Sequence, residues 1–360
     1  MDFYFWQPIL SPHQAPLLSA LALRWGVRVT VIADEDVPEA RRMMGWGAPD
    51  YGRAVVLVAP SQADRARVIE ASATDSIHVV SGLGAYPSGA AVTVALRGLG
   101  RRVWIASESW DPRGIKGLFR RLRYLKRSRM HSSAVDVVLA IGTDAELQFR
   151  MLGYPSERVV PWGYFPDVAY VPPSRPNEWT SLYYVGTVSK MKGLYDLLLS
   201  LPKTNRQIRL SVLGDGPDTE RCRSFAKQRG LAEDVKWLGF VPNRDIGKHL
   251  SSADAVVIPS RYDGWAAVAN EALLCGSQVI VSDACGSRAL AGRLPVRVYP
   301  SGDPGRLALL LDPLRPLTLE ERSRNRDLAL KTISPAIAAA YFHGLATSPV
   351  THRPGPPWLP

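Results

Sequence analysis

Asp263-Gly264-Trp265-Ala266-Ala267-Val268-Ala269-Asn270-Glu271-Ala272-Leu273 and the earlier Val185-Gly186-Thr187-Val188-Ser189-Lys190-Met191-Lys192-Gly193 decide how this chain folds. The earlier stretch reads as a strand exit, a turn and the start of a helix; the later one as a turn opening a helix. Two stretches of related design lie between them. One is Leu213-Gly214-Asp215-Gly216-Pro217, whose proline opens a helix; the other is Ala253-Asp254-Ala255-Val256-Val257-Ile258-Pro259-Ser260. Strands that end in tight turns and feed helices build parallel sheets, and ligands collect at the carboxyl ends of such strands.

The chemistry of these stretches is specific as a set. Asp263 and Glu271 stand eight positions apart. With a helix starting at Gly264, Glu271 lies about two turns inside it. The free amides and positive dipole at that start suit a diphosphate. Lys192, at another strand exit, adds a mobile positive charge to the same phosphates. Glu271 is suited to accept hydrogen bonds from two vicinal ribose hydroxyls, and Asp263 to reach hydroxyls of a sugar on the outer phosphate. Singly, each has a plainer reading: Asp263 as a helix-start residue, Glu271 as a half-buried helix charge, Lys192 as a solvated lysine, Asp215 as a turn former and Asp254 as a structural carboxylate. The order of the set along the chain is what points to donor binding.

Working outward, short apolar runs alternate with helical patterns on both sides. Strands are predicted at Phe3–Phe5, Val27–Ala33, Val55–Val58, Ile77–Ser81, Val103–Ala106 and Val135–Ile141, with helices at Ala15–Arg24 and Ser88–Leu99. The stretch Pro161–Trp179 breaks the pattern with five prolines and reads as a linker. A second alternation begins at Leu182–Val185, with helices predicted at Lys192–Leu201, Thr219–Arg229, Arg244–Leu250 and Ala266–Leu274. The fold class is α/β. The expected organisation is a Rossmann-like domain over 1–170, a second over 171–333, a helix over 334–346 returning to the first domain, and a loose proline-rich tail over 347–360.

The motif cluster resembles the donor-binding domain of retaining glycosyltransferases of family 4, strongly over Ser181–Gly292 and more loosely before it. That resemblance implies the GT-B fold, two Rossmann-like domains facing across a cleft. It implies a nucleoside-diphosphate sugar as co-substrate and no metal. The implied donor-binding residues are Gly186, Lys190, Lys192, Ser260, Gly264, Trp265, Ala266 and Glu271, with Phe240 and Val241 near the base. Two departures stand out. The first carboxylate is Asp263 where the family usually has Glu, and Thr187 stands where it usually has Arg, with Lys190 as the substitute cation. Asp263, His13 and Glu108 are the candidate catalytic residues. His13 and Gln14 lie in the Ser11-Pro12-His13-Gln14 loop, which the resemblance turns toward the donor diphosphate. Glu108 follows the strand Val103–Ala106, where relatives often carry a histidine. Asp34-Glu35-Asp36 reads as a solvated acidic loop, not as a metal motif.

Charge sharpens the acceptor side. Net charge is +11, and Pro112–His131 holds eight basic residues and no acidic one. Ile115, Leu118, Phe119, Leu122 and Leu125 recur there at helix spacing. A basic amphipathic stretch over 113–129 suits an anionic membrane surface and a glycan or polyprenyl-linked acceptor; no nucleic-acid motif accompanies it. Cys222, Cys275 and Cys285 show no metal-ligand or disulfide spacing, and no apolar run reaches the ~18–20 residues of a membrane span. The expected location is the cytoplasm, peripheral on the inner face of the cell membrane. The expected activity is retaining hexosyl transfer in envelope-type glycan assembly. A sugar-nucleotide epimerase of the same shape and a non-catalytic sugar-nucleotide-binding subunit are the alternatives.

Overall fold

The computed structural model describes residues 1–360 except Met44, Asn177, Asn205, Arg206 and Pro360. Its residues form two compact units, Met1–Pro166 with Pro335–Pro356, and Asp167–Ser334 with Pro357–Pro360.

In the first unit β1 (Asp2–Ile9), α1 (Ala15–Ala22), β2 (Arg28–Glu35), α2 (Glu39–Met43), β3 (Val55–Val58), α3 (Gln62–Ala71), β4 (Ile77–Ser81), α4 (Pro87–Gly98), β5 (Arg102–Glu108), α5 (Gly114–His131), β6 (Val137–Ile141), α6 (Thr143–Met151) and β7 (Val159–Trp162) follow one another. The seven strands form one parallel sheet in the order β3-β2-β1-β4-β5-β6-β7. The second unit runs β8 (Thr180–Val185), α7 (Leu194–Ser200), β9 (Ile208–Leu213), α8 (Thr219–Gln228), β10 (Val235–Gly239), α9 (Asn243–Leu250), β11 (Ala255–Ile258), α10 (Val268–Leu274), β12 (Gln278–Ser282), β13 (Val296–Tyr299), α11 (Pro304–Leu311) and α12 (Leu319–Ile333). Its six parallel strands are ordered β10-β9-β8-β11-β12-β13.

Both sheets reverse their winding direction at one place, between β1 and β4 and between β8 and β11. Loops diverge to opposite faces there and leave a crevice at the strands' carboxyl ends. The central strands are apolar because both faces are covered: β6 and β11 are buried throughout.

The last helix, α13 (Pro335–Thr347), belongs to the first unit. Phe342 is fully buried and meets Phe3, Phe5, Trp104 and Trp162, with ring centroids 5.2 to 5.9 Å away. Burying such a ring contributes about 1.5–3 kcal/mol.

Three local expectations are corrected. The linker reading of Pro161–Trp179 begins too early, because Pro161 and Trp162 complete β7, an edge strand where a missing amide is tolerated. The tail is not loose at Trp358, whose ring is buried. Asp34-Glu35-Asp36 is a loop only in part: Asp34 and Glu35 close β2, and Asp34 pairs with Arg65 at 2.9 Å and accepts from Ser88, whereas Glu35 and Asp36 are exposed, Asp36 pairing with Arg42 at 2.6 Å.

Asp254 anchors the second unit. Its carboxylate accepts from the amides of Ser181 and Leu317, each at 2.9 Å, and from Arg322 at 3.1 Å, with both side chains of the ion pair almost fully buried. Removing one partner of such a pair strands the other charge in the interior. We expect Arg322→Ala to cost about 3–5 kcal/mol, read as a lower midpoint in urea denaturation.

Candidate functional site

The second unit's site is built on two loops at the winding reversal. Gly193, between Lys192 and α7, sits at φ +72°, and a Cβ there would fall on the Pro259 carbonyl oxygen. Glycine is therefore required for the β8–α7 turn to lie against the segment after β11. The Arg261 amide donates to the Met191 carbonyl at 2.7 Å, and the Arg261 guanidinium grips Asp196 with two bonds of 2.9 and 3.1 Å. Behind them, Gly186 and Gly214 stack peptide on peptide; a Cβ at Gly214 would meet the Gly186 carbonyl.

This clamp brings together two sequence-predicted residues. Lys192 Nζ lies 2.6 Å from Asp263 Oδ2. The pair is half-exposed, with side-chain exposures of 36% and 16%, so it adds little to stability. It is a cation held at a strand exit that can trade a carboxylate for a phosphate. Asp263 Oδ1 also accepts from the Trp265 amide at 3.3 Å.

The helix after Asp263 starts later than its sequence suggests. Ala266 adopts φ +70°, and the first helical residue is Val268. Glu271 therefore lies in the first turn of α10, not two turns inside a helix begun at Gly264. The cause is tertiary: Trp265 turns inward, its indole N–H donates to Asn270 Oδ1 at 2.9 Å, and its carbonyl accepts from the Ser287 amide at 2.9 Å. The same positive φ starts the helix predicted over Ala266–Leu274 two residues late, at Val268; the turn at Gly193 likewise moves the start of the helix predicted from Lys192 to Leu194.

Glu271 is buried, and among the described residues its carboxylate has no hydrogen-bond or ion-pair partner. Burial alone raises its pKa from 4.5 to about 7. Asn270 Nδ2 and Ser287 Oγ are also buried without a partner. An acid kept without a partner, as Glu271 is, suits a ligand that donates hydrogen bonds to it.

The remaining predicted residues divide. Ser260 is buried and its carbonyl accepts from the Ser282 hydroxyl at 2.5 Å. Phe240 is exposed just past β10, with Val241 half-buried beside it. Lys190 lines a cavity with Tyr195, Arg221 and Arg261, and Lys192 is not among that cavity's lining residues. Arg261, Asp196 and Asn270 were not among the sequence candidates; an Arg directly after Pro-Ser, and an Asn beside the acid, were the available signals.

In the first unit His13 leads into α1 and Glu108 ends β5. The His13 ring lies edge-on to Trp46 at 5.1 Å and tilted to Tyr164 at 6.2 Å; the Tyr164 hydroxyl donates to Glu108 at 2.7 Å. Tyr164 and Trp46 thus join His13 and Glu108, and neither was singled out by sequence because one sits in the proline-rich stretch and the other in an irregular loop. Gln14 accepts from the Gln7 side chain at 2.5 Å. Burial, with help from Arg41, lowers the His13 pKa to about 4. At neutral pH His13 is an uncharged hydrogen-bonding group.

Residues 173–299 match the family described as Glycosyl transferases group 1. Among curated relatives, the glycogen synthase of Mycobacterium tuberculosis is 26% identical over 190 residues, 49% of this chain and 45% of that protein. The lipopolysaccharide 1,6-galactosyltransferase of Salmonella typhimurium is 27% identical over 117 residues, 31% of this chain and 33% of that one. The chain spans less than half the length of either relative. Among solved structures, the UDP complex of Anabaena HepE aligns with TM-score 0.71 at 16% identity, covering 95% of this chain and 98% of the other. The fold is GT-B.

The Glu271 shift has a measurable sign. An acid whose folded pKa is raised loses stability as pH climbs from its unfolded value of 4.5 through about 7, because only the unfolded chain releases the proton freely in that window. We expect Glu271→Gln to match the parent near pH 4.5 and to exceed it by up to about 3 kcal/mol at pH 8, measured by thermal unfolding across pH.

Proposed function

We propose that this chain, a member of glycosyl transferases group 1 through residues 173–299, transfers a hexosyl-type group from a nucleoside-diphosphate sugar to an acceptor hydroxyl with retention of configuration. The observation that carries this reading is the Lys192–Asp263 pair on the same clamped loops as the buried, unpartnered Glu271. The donor diphosphate takes Lys192 from Asp263 and uses the amides of Ala266 and Ala267, while the Trp265 amide stays with Asp263. Glu271 accepts the ribose hydroxyls and is drawn into its ionised form by them. Asp263, released from Lys192, holds hydroxyls of the transferred sugar.

In such a reaction the leaving phosphate takes the acceptor proton on the face where the new bond forms. No strong protein base is needed, and the chain's work is positioning and stabilising charge on the departing diphosphate. His13, neutral at working pH, donates or accepts one hydrogen bond to a sugar or phosphate oxygen. Glu108, oriented by Tyr164, accepts from an acceptor or donor hydroxyl.

The acceptor is a glycan or a lipid-linked saccharide of envelope-type glycan assembly, met at an anionic membrane surface. The structure of α5 supports this reading. Ile115, Leu118, Phe119 and Leu122, one helical stripe, are 53–76% exposed, so the apolar face is not spent on packing against the sheet. Basic side chains flank it on the same helix. Among the described residues no helix is long and apolar enough to cross a membrane, so attachment is peripheral.

Two outcomes test the reading. UDP or another nucleoside diphosphate should raise the thermal midpoint, and Glu271→Ala should abolish that shift while the protein stays folded by circular dichroism. Lys192→Ala should lower turnover about 10²–10³-fold with smaller loss of donor affinity; unchanged turnover would sink the phosphate role. Separately, binding to phosphatidylglycerol vesicles should weaken with salt and disappear in Phe119→Glu/Leu122→Glu, while phosphatidylcholine vesicles bind neither protein.

A further inference from the structure

The turn that carries Lys192 has a second lysine, and the two serve different places. Lys192 reaches Asp263. Lys190 lines a cavity of about 340 Å³ bounded by α7, the start of α8 and the turns after β11 and β13, whose lining includes neither Lys192, Asp263 nor Glu271. Its volume is in the range of small-ligand sites.

The charges in this cavity are not balanced. Arg261 is neutralised by its two hydrogen bonds to the Asp196 carboxylate. Among the described residues, Lys190 and Arg221 form no ion pair, and the Arg221 guanidinium is braced over the Tyr195 ring at 4.6 Å. The Asp218 carboxylate, at the start of α8, also lines the cavity and makes no side-chain capping bond. Tyr195 and Leu199 provide an apolar wall.

Two unpaired cations beside one unpaired carboxylate select a ligand of mixed character. A bare anion gains from Lys190 and Arg221 but is repelled by Asp218. A neutral sugar gains from Asp218 but leaves both cations unanswered. A phosphate ester on a hydroxylated body satisfies all three: its phosphate lies between Lys190 and Arg221, the braced guanidinium losing little freedom on binding, and its hydroxyls donate to Asp218. We propose that this cavity is a second ligand site, distinct from the donor site, for a phosphorylated small molecule of monosaccharide size.

The test uses the full chain with glucose 6-phosphate, glucose, inorganic phosphate and UDP as probes, by thermal shift and isothermal calorimetry. Glucose 6-phosphate should raise the thermal midpoint in a dose-dependent way, with glucose and inorganic phosphate each binding at least about tenfold more weakly. Arg221→Ala should weaken glucose 6-phosphate about tenfold or more and leave UDP affinity within about twofold; Glu271→Ala should do the reverse. Asp218→Asn should weaken glucose 6-phosphate but not inorganic phosphate. Failure of UDP alone to bind would count against the donor site and leave this one standing. Three results would overturn the second site: no binding of glucose 6-phosphate at millimolar concentration, binding lost in Glu271→Ala but kept in Arg221→Ala, or inorganic phosphate binding as tightly as the ester.

Discussion

The closeness of the β8–α7 turn to the segment after β11 governs the second unit's chemistry. Only a residue without a side chain fits at 193, where the backbone is left-handed and faces the Pro259 carbonyl. The approach is locked by the Arg261 amide on Met191 and by the Arg261 side chain on the buried Asp196. A lysine one residue before the glycine and an aspartate two residues after the arginine then meet at 2.6 Å. Loosening the clamp would separate a cation and a carboxylate that belong to different strand exits.

The polar groups of this unit fall into two kinds. Asp254 with Arg322 is buried and fully engaged, and it ties β8, β11 and α12 together. Glu271 is buried and unengaged, which costs stability in the unliganded protein. A structural carboxylate is expected to have found a partner, as Asp254 has; the proposed donor site gives Glu271 its partner in a ligand. Asn270, which uses its oxygen on Trp265 and leaves its nitrogen unanswered, extends the same pattern.

The first unit follows a different economy. Its sheet is covered by a helix from the far end of the chain, whose Phe342 packs against rings from β1, β5 and β7. With the sheet sealed there, α5 is left to display leucine, isoleucine and phenylalanine to solvent among its arginines and lysines. The excess charge of the whole chain is largely this helix. At the strand exits, His13, Trp46, Tyr164 and Glu108 form a linked aromatic and acidic group with no charged histidine at neutral pH.

Alternating apolar runs and helical periods determined two parallel α/β sheets, because burial on both faces leaves its mark on every strand. The place of Lys192 at a strand exit was equally legible, since such a residue is located by the strand before it; the depth of Glu271 in its helix was not, because the helix begins at Val268. The order of the strands, the ring contacts that seat α13 on the first sheet and the late start of α10 were decided only in three dimensions. Ala266 gives no sign of its left-handed backbone; that conformation is imposed by Trp265 turning inward to Asn270 and by its carbonyl meeting the Ser287 amide. Nor does the order Lys190-Met191-Lys192 say which lysine meets Asp263 and which lines the cavity with Arg221. Periodicity records how deeply a residue is buried, whereas its partner is chosen by groups far away in the chain that only folding brings near.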